Sequence, residues 1–311
     1  MAADSPRYAY LGPRGTFSEQ ALRSLPAAAG AELVPCVSVA DALDSVRRDE
    51  VTAALVPLEN SVEGSVSETL DELAGGTPLQ IVQEVQLSVS FSLLVRTGTT
   101  LADIATITTI PHAEAQVRGW LRSTLPDARF IAASSTAEGA HAVAAGHADA
   151  AVAAPLAAEQ YDLEILADDI ADHTGAVTRF VLVAPPGPPP PPTGADRTSL
   201  VAYIADDHPG ALLELLTELA VRGVNLTRIE SRPTGVGLGR YCFSIDAEGH
   251  ISLARVAEAL AALRRICADV RYLGSYPTAD GSVPNERRGT ADADFVDAQA
   301  WIDRIRRGGS R

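Results

Sequence analysis

Thr178-Arg179-Phe180 sets a hydroxyl, a guanidinium and an aromatic ring side by side at the start of an apolar run that ends just before a proline-rich break. Ligands of open α/β sheets bind in the crevice beyond strand ends, so a polar triplet at the mouth of a strand marks that crevice. A second cluster, Glu59-Asn60-Ser61, closes the apolar run Ala53 to Leu58 and points at the same place. Hydroxyl, carboxamide and guanidinium groups are donors suited to holding an anion. Arg179 reads two ways, as a bidentate clamp on a carboxylate or as a lobe-bridging ion pair with a partner such as Glu59. Further upstream, Gly12-Pro13-Arg14-Gly15 turns into a helix capped by Thr16 or Ser18, whose free N–H groups favour an anion. His112, His141, His147 and His173 show no metal-ligand spacing, and Cys36, Cys242 and Cys267 lie far apart without a CxxC. Neither a zinc cluster nor a disulfide framework is expected, and no cofactor is implied.

The elements that must position these residues alternate between strand and helix. Strands are expected at Arg7 to Leu11, Leu33 to Val37 and Ala53 to Leu58, with helices at Thr16 to Leu25, Ser38 to Arg48 and Ser67 to Leu73 between and after them. The run Gln86 to Val95 alternates apolar and small polar residues and reads as one strand opening a second lobe. That lobe continues with strands at Ile104 to Thr109, Phe130 to Ala133, Ala150 to Ala153 and Leu163 to Ala167, and with helices at Ala113 to Leu125, Ser135 to Ala145 and Leu156 to Gln160. The alternation predicts mostly parallel strands covered by helices. Phe180 to Val183 then returns to the first lobe, which leaves a cleft between the two.

Pro185 to Pro192 reads as extended polyproline II, a semi-rigid spacer rising about 3.1 Å per residue. Beyond it the order strand (198–205), helix (209–221), strand (227–231), strand (240–246), helix (253–266), strand (270–275) is a ferredoxin-like βαββαβ unit. From Thr278 the chain turns polar. Only Phe295 to Ile305 has helical apolar spacing, and the segment before it is expected to be disordered. The domain reading is a catalytic domain 1–184 with lobes 7–84 plus 171–184 and 85–170, a linker 185–197, a regulatory domain 198–277 and a tail 278–311. At 311 residues and 46% hydrophobic the chain is long enough for two domains. Its net charge of −15 repels nucleic acid and anionic membranes, so anionic ligands must be held by local donors. The N-terminus has no signal pattern and no apolar run reaches the roughly 20 residues of a membrane span, so the expected location is the cytoplasm.

Four clusters in order, Gly12-Pro13-Arg14-Gly15-Thr16-Phe17-Ser18, Val56-Pro57-Leu58-Glu59-Asn60-Ser61, Thr178-Arg179-Phe180 and Glu230-Ser231-Arg232-Pro233, resemble prephenate dehydratase over residues 7 to about 277. The resemblance implies a two-lobed catalytic domain similar to periplasmic binding proteins, followed by an ACT domain that binds phenylalanine. The chain starts at the first catalytic strand, so no chorismate mutase domain is expected. Two positions depart from the family: Ala176 stands where many relatives have Asn, and Thr109-Ile110-Pro111-His112 stands for Ser-His-Pro-Gln. Gln116 matches a family glutamine.

What the resemblance implies chemically is the loss of CO2 and hydroxide from opposite ring carbons of the prephenate dianion. Thr178 is the implied donor to the leaving oxygen, through a hydrogen bond that strengthens as charge builds there. Thr178 and Arg179 are thus the catalytic candidates, with Thr16, Asn60, Ser61, Gln116 and Phe180 at the substrate, Phe180 itself reading as core. Gly210, Ala211, Leu212, Asn225, Glu230 and Ser231 are the implied phenylalanine site, shared between two chains of a homodimer or homotetramer. Arogenate dehydratase and a non-catalytic binding-protein-like sensor are the alternative readings.

Overall fold

The computed structural model describes residues 5–173, 175–205, 208–235, 241–283 and 289–309. These divide into two compact units, the first comprising the described residues up to Thr69 with Val85–Val183, the second Leu70–Glu84 with the described residues from Ala184 onward.

The first unit holds two α/β lobes, apart from residues 70–84, which fall in the second unit. In the first lobe β1 (Arg7–Leu11), α1 (Phe17–Arg23), β2 (Glu32–Cys36), α2 (Val39–Arg47), β3 (Ala53–Asn60), β4 (Gly64–Ser65), α3 (Ser67–Ala74) and β5 (Gln80–Ser88) follow one another. In the second come β6 (Ser92–Val95), β7 (Thr106–Thr109), α4 (Pro111–Thr124), β8 (Arg129–Ala132), α5 (Thr136–Ala144), β9 (Ala150–Ala153), α6 (Leu156–Tyr161) and β10 (Glu164–Ala167). The chain then returns as β11 (Val177–Ala184). The first sheet runs β2-β1-β3-β11-β5 with β4 on β3, and the second runs β10-β6-β9-β7-β8. Helix starts follow the capping chemistry: Ser38 Oγ accepts from Asp41 N at 3.0 Å ahead of α2, and Ser135 Oγ accepts from Glu138 N at 2.9 Å ahead of α5. Behind the Ser38 cap, Val39, Ala42, Leu43 and Val46 form one buried stripe against the sheet.

Two expectations change. The run Gln86 to Val95 is not one strand: β5 ends at Ser88 in the first sheet and β6 begins at Ser92 in the second. Between them Val89 N donates to Ala176 O at 2.7 Å and Phe91 O accepts from Ile170 N at 2.9 Å, so this crossing is paired with the returning one. The sheets are also mixed rather than mostly parallel. β1 is parallel to β2 and β3, and β7 to β8 and β9, but β11 runs antiparallel to β3, and β6 antiparallel to β9 and β10.

In the second unit β12 (Asp196–Tyr203), α7 (Ala211–Ala220), β13 (Leu226–Pro233), β14 (Tyr241–Glu248), α8 (Ala254–Ile266) and β15 (Asp269–Pro277) form the βαββαβ order, with an antiparallel sheet β13-β14-β12-β15. Its core is Leu200, Ala202, Leu215, Leu219, Ile245, Val256 and Leu263. Residues 70–84, which the sequence reading had placed in the first lobe, group with this unit. The Arg232 guanidinium grips the Asp71 carboxylate at 2.9 and 2.7 Å, and Glu84 takes Arg197 together with the Ala279 N–H. At Gly274 (φ +137°) a Cβ would lie 2.2 Å from Ile81 O, so the backbones meet where only glycine fits. The proline-rich spacer is tethered as well, because the buried His250 ring meets Pro190 O at 2.9 Å through Nε2. Residues 278–283 carry hydrogen bonds, including Thr278 N to Ala195 O at 2.8 Å, while 284–288 of the segment expected to be disordered lie outside the described residues. A terminal helix, α9 (Asp292–Arg306), follows. No helix among the described residues is long and apolar enough to cross a membrane.

A buried ion pair braces the four-stranded sheet of the second unit. Arg228 and Asp246 meet at 2.9 Å with side chains 7% and 0% exposed, and Ser199 Oγ donates to Asp246 at 2.6 Å. Arg228→Leu removes a charged partner of that buried carboxylate and is expected to lower stability by about 3–5 kcal/mol, read from urea denaturation of the full chain; a loss under about 1 kcal/mol contradicts the pair's role.

Candidate active site

The site forms where β11 lies antiparallel to β3, with Thr178 opposite Asn60 and Arg179 opposite Glu59. The register slips between Arg179 and Phe180, so one residue of β3 is left over beside the polar pair. A bulge of this kind re-aims side chains next to a site. Phe180, 2% exposed, lies in the core, consistent with its apolar character.

Asn60 is the hinge of the cluster. Its Oδ1 accepts from Val62 N at 2.8 Å and from Glu63 N at 3.0 Å, and its Nδ2 donates to Thr178 Oγ1 at 2.8 Å. Two backbone N–H groups on one end of the carboxamide leave only one orientation for the other end. Thr178 Oγ1 is therefore an acceptor toward Asn60, and its own proton remains available to another group. Next door, Ser61 pairs twice with Val177: its N–H donates to Val177 O at 2.9 Å and its Oγ accepts from Val177 N at 3.0 Å. Ser61 thus tightens the strand pair that carries Thr178.

Arg179 is buried and its guanidinium lies 3.6 Å from the Glu59 carboxylate, itself 40% exposed. The pair anticipated from sequence forms, but it joins two neighbouring strands of one sheet rather than bridging the lobes. Thr16 is the N-cap of α1. Its hydroxyl donates to Leu11 O at 3.1 Å and caps the helix by accepting from Glu19 N at 3.3 Å. The partner Glu19, 2% exposed, reaches back to Gly15 N at 2.6 Å. Thr16-x-x-Glu19 is a capping-box spacing, a signal present in the sequence and not used there.

Among the described residues, the lobes make contact near Gly15, at Phe17 and at Glu63. At Gly15 (φ +84°) a Cβ would come within 3.1 Å of the Ala157 backbone of α6. There the Tyr161 hydroxyl donates to Arg14 O at 3.0 Å, and burial, with Glu138 and Glu19 adding to it, pushes that hydroxyl above its ordinary pKa and keeps it a donor. Phe17 of α1 and Phe91 pack edge to face at 5.5 Å. Third, Glu63 on the β3–β4 turn receives Gln116 Nε2 at 3.3 Å and lies 3.1 Å from His112 Nδ1, both on α4. Gln116 thereby stands on the opposite lobe from Thr178, its backbone carbonyl held by Asp172 N at 2.8 Å. Glu63 was not singled out by the sequence reading; its position three residues after an Asx-turn asparagine was the available sign. The two departures from the family pattern are accounted for locally: Ala176 is buried, and Thr109 donates its hydroxyl to Val152 O at 2.6 Å.

In the second unit Gly210 precedes α7 with φ +101°, a conformation that favours glycine. Leu212 is 37% exposed, Asn225 gives its carbonyl to Glu248 N at 2.9 Å, and Glu230 and Ser231 lie on β13, the outer strand of the sheet. Ala211 lines a small cavity of about 110 Å³ with His208, Glu214 and Cys267, and none of the other effector candidates borders it.

The prephenate dehydratase family model matches residues 8–187 and the ACT domain model matches residues 198–265. A prephenate dehydratase of Amycolatopsis methanolica is 53% identical over 303 residues, covering 97% of this chain and 98% of that protein. Among solved structures, prephenate dehydratase from Arthrobacter aurescens in complex with L-Phe superposes with a TM-score of 0.92 at 50% identity, covering 97% and 99% of the two chains. GqqA, described as a quorum-quenching acylase, superposes with a TM-score of 0.78 at 34% identity, covering 88% and 98%. With a family match over more than half its length and half-identical relatives along almost all of it, the chain belongs to the prephenate dehydratase family and carries a C-terminal ACT domain.

Proposed function

We propose that this chain converts prephenate into phenylpyruvate, CO2 and water, with Thr178 as the donor to the departing hydroxyl. The observation that carries the reading is the Asn60 carboxamide, which donates to Thr178 Oγ1 at 2.8 Å and leaves the threonine proton free to point outward. In the reaction the ring C–CO2 bond breaks, its electron pair aromatises the ring, and the opposite C–O bond releases hydroxide, which takes up a proton to become water. A threonine hydroxyl is too weak an acid to lead this step. Its hydrogen bond instead strengthens as negative charge collects on the leaving oxygen, and the Asn60 donor offsets the charge drawn onto Oγ1.

Arg179 supplies the positive charge beside Thr178 for the dianion, with Glu59 as its counter-ion. Gln116 adds a neutral donor from the second lobe and Ser61 holds the strand pair. Strong cationic pairing of the departing carboxylate opposes decarboxylation, which suits a ring environment of amides and hydroxyls. Phenylalanine is the proposed effector, at Gly210, Ala211, Leu212, Asn225, Glu230 and Ser231, with two chains completing the site in a homodimer or homotetramer. The ACT match and the L-Phe complex of the Arthrobacter aurescens protein support this. The cytoplasm is the proposed location, in line with family membership.

Phenylpyruvate formation by the purified chain, without added cofactor and with arogenate run in parallel, tests the assignment; turnover of arogenate alone moves it to that substrate, and binding without turnover moves it to a sensor. Thr178→Ala is expected to lower kcat by about 10²–10³-fold with an unchanged melting temperature. Asn60→Asp replaces the donor with a second acceptor, draws the Thr178 proton inward, and is expected to lower kcat by about 10²-fold with KM little changed. Near-normal turnover in either variant removes that residue from its role. Glu230→Ala is expected to weaken the phenylalanine response by about tenfold in effector concentration with basal turnover retained, and an unchanged response places the effector elsewhere.

A further inference from the structure

One carboxylate at the cleft has no part in the chemistry just described, yet it is held from both lobes. Glu63 sits on the turn between β3 and β4, and its two oxygens are used separately: Oε1 accepts from Gln116 Nε2 at 3.3 Å and Oε2 lies 3.1 Å from His112 Nδ1. His112 and Gln116 are four residues apart on α4, hence on one face of that helix. From the other side, the Glu63 N–H donates to Asn60 Oδ1 at 3.0 Å, the same carboxamide that donates to Thr178. The turn is therefore anchored to the donor pair through its backbone and to the second lobe through its side chain. Among the described residues, the chain crosses between the lobes at 89–91 and again ahead of β11, and contacts of this sort add to those crossings.

We infer that Glu63 is a positioning residue that latches α4 onto the Asn60 turn, so that closing the cleft brings Gln116 to the side of the site where Thr178 stands. This rests on the dehydratase reading of the site. A latch of this kind sets the fraction of molecules in the closed, binding-competent arrangement, and the apparent affinity falls in proportion to that fraction. Its loss therefore shows in KM, whereas loss of a group on the reacting atoms shows in kcat.

The test is steady-state kinetics of the full chain with prephenate for the wild type, Glu63→Ala, His112→Ala, the double variant and Glu63→Gln, with circular dichroism to verify folding. The expected result is a KM raised about tenfold in Glu63→Ala with kcat within about twofold of wild type. The double variant is expected to be no worse than Glu63→Ala alone, since Glu63→Ala already removes the one contact that His112→Ala removes. Glu63→Gln keeps an oxygen for the Gln116 amide and is expected to recover most of the lost affinity. An unchanged KM in folded Glu63→Ala overturns the latch, as do multiplicative losses in the double variant or a collapse of kcat at constant KM. Absence of prephenate turnover by the wild type fails the functional reading instead, and is seen before any variant is compared.

Discussion

The antiparallel pairing of β11 with β3 is the constraint on which the rest depends. It joins residues 118 positions apart, closes the first sheet after the chain has made an entire second lobe, and sets Thr178 across from Asn60. Without it the polar triplet is only a β-branched residue, a charge and a ring at the head of an apolar strand. With it, Asn60 has both ends occupied, and the direction of the hydrogen bond to Thr178 follows from counting donors rather than from any property of threonine itself. One residue further on, the register slips between Arg179 and Phe180.

Much of this was legible in the sequence, for reasons that are local. Ser38 and Ser135 announce helices because their side chains satisfy N–H groups that no other neighbour can reach, and the strands at 7–11, 53–58 and 150–153 are runs too apolar to be exposed. The return of 180–183 to the first lobe followed from chain order. What did not follow was the break at 89–91. Nothing in Gln86 to Leu93 disturbs the alternation, because the break is made by partners at Ile170 and Ala176, some eighty residues away.

The site was legible in part. Thr178, Asn60 and Ser61 meet as their positions at strand ends suggested, and Glu59 pairs with Arg179, although within one sheet. Thr16 stands next to a glycine turn, and in the structure its hydroxyl donates to Leu11 O and accepts from Glu19 N, as an N-cap does. Glu63 was overlooked because an acidic residue on an exposed turn is ordinarily solvated, and only the approach of α4 from the other lobe shows otherwise.

The interrupted sheet also bears on the order of events during synthesis. The second lobe is a continuous stretch from β6 to β10, with its core supplied by residues between Phe91 and Ile170 and by partly buried neighbours such as Phe17. The first sheet, by contrast, lacks an inner strand until residue 177 and those after it leave the ribosome. Domains tend to fold as units as they emerge, and long-range strand pairing is slow. The lobe that begins first in the sequence is thus the one completed second, with β3 waiting as an open edge while the whole of its neighbour is made.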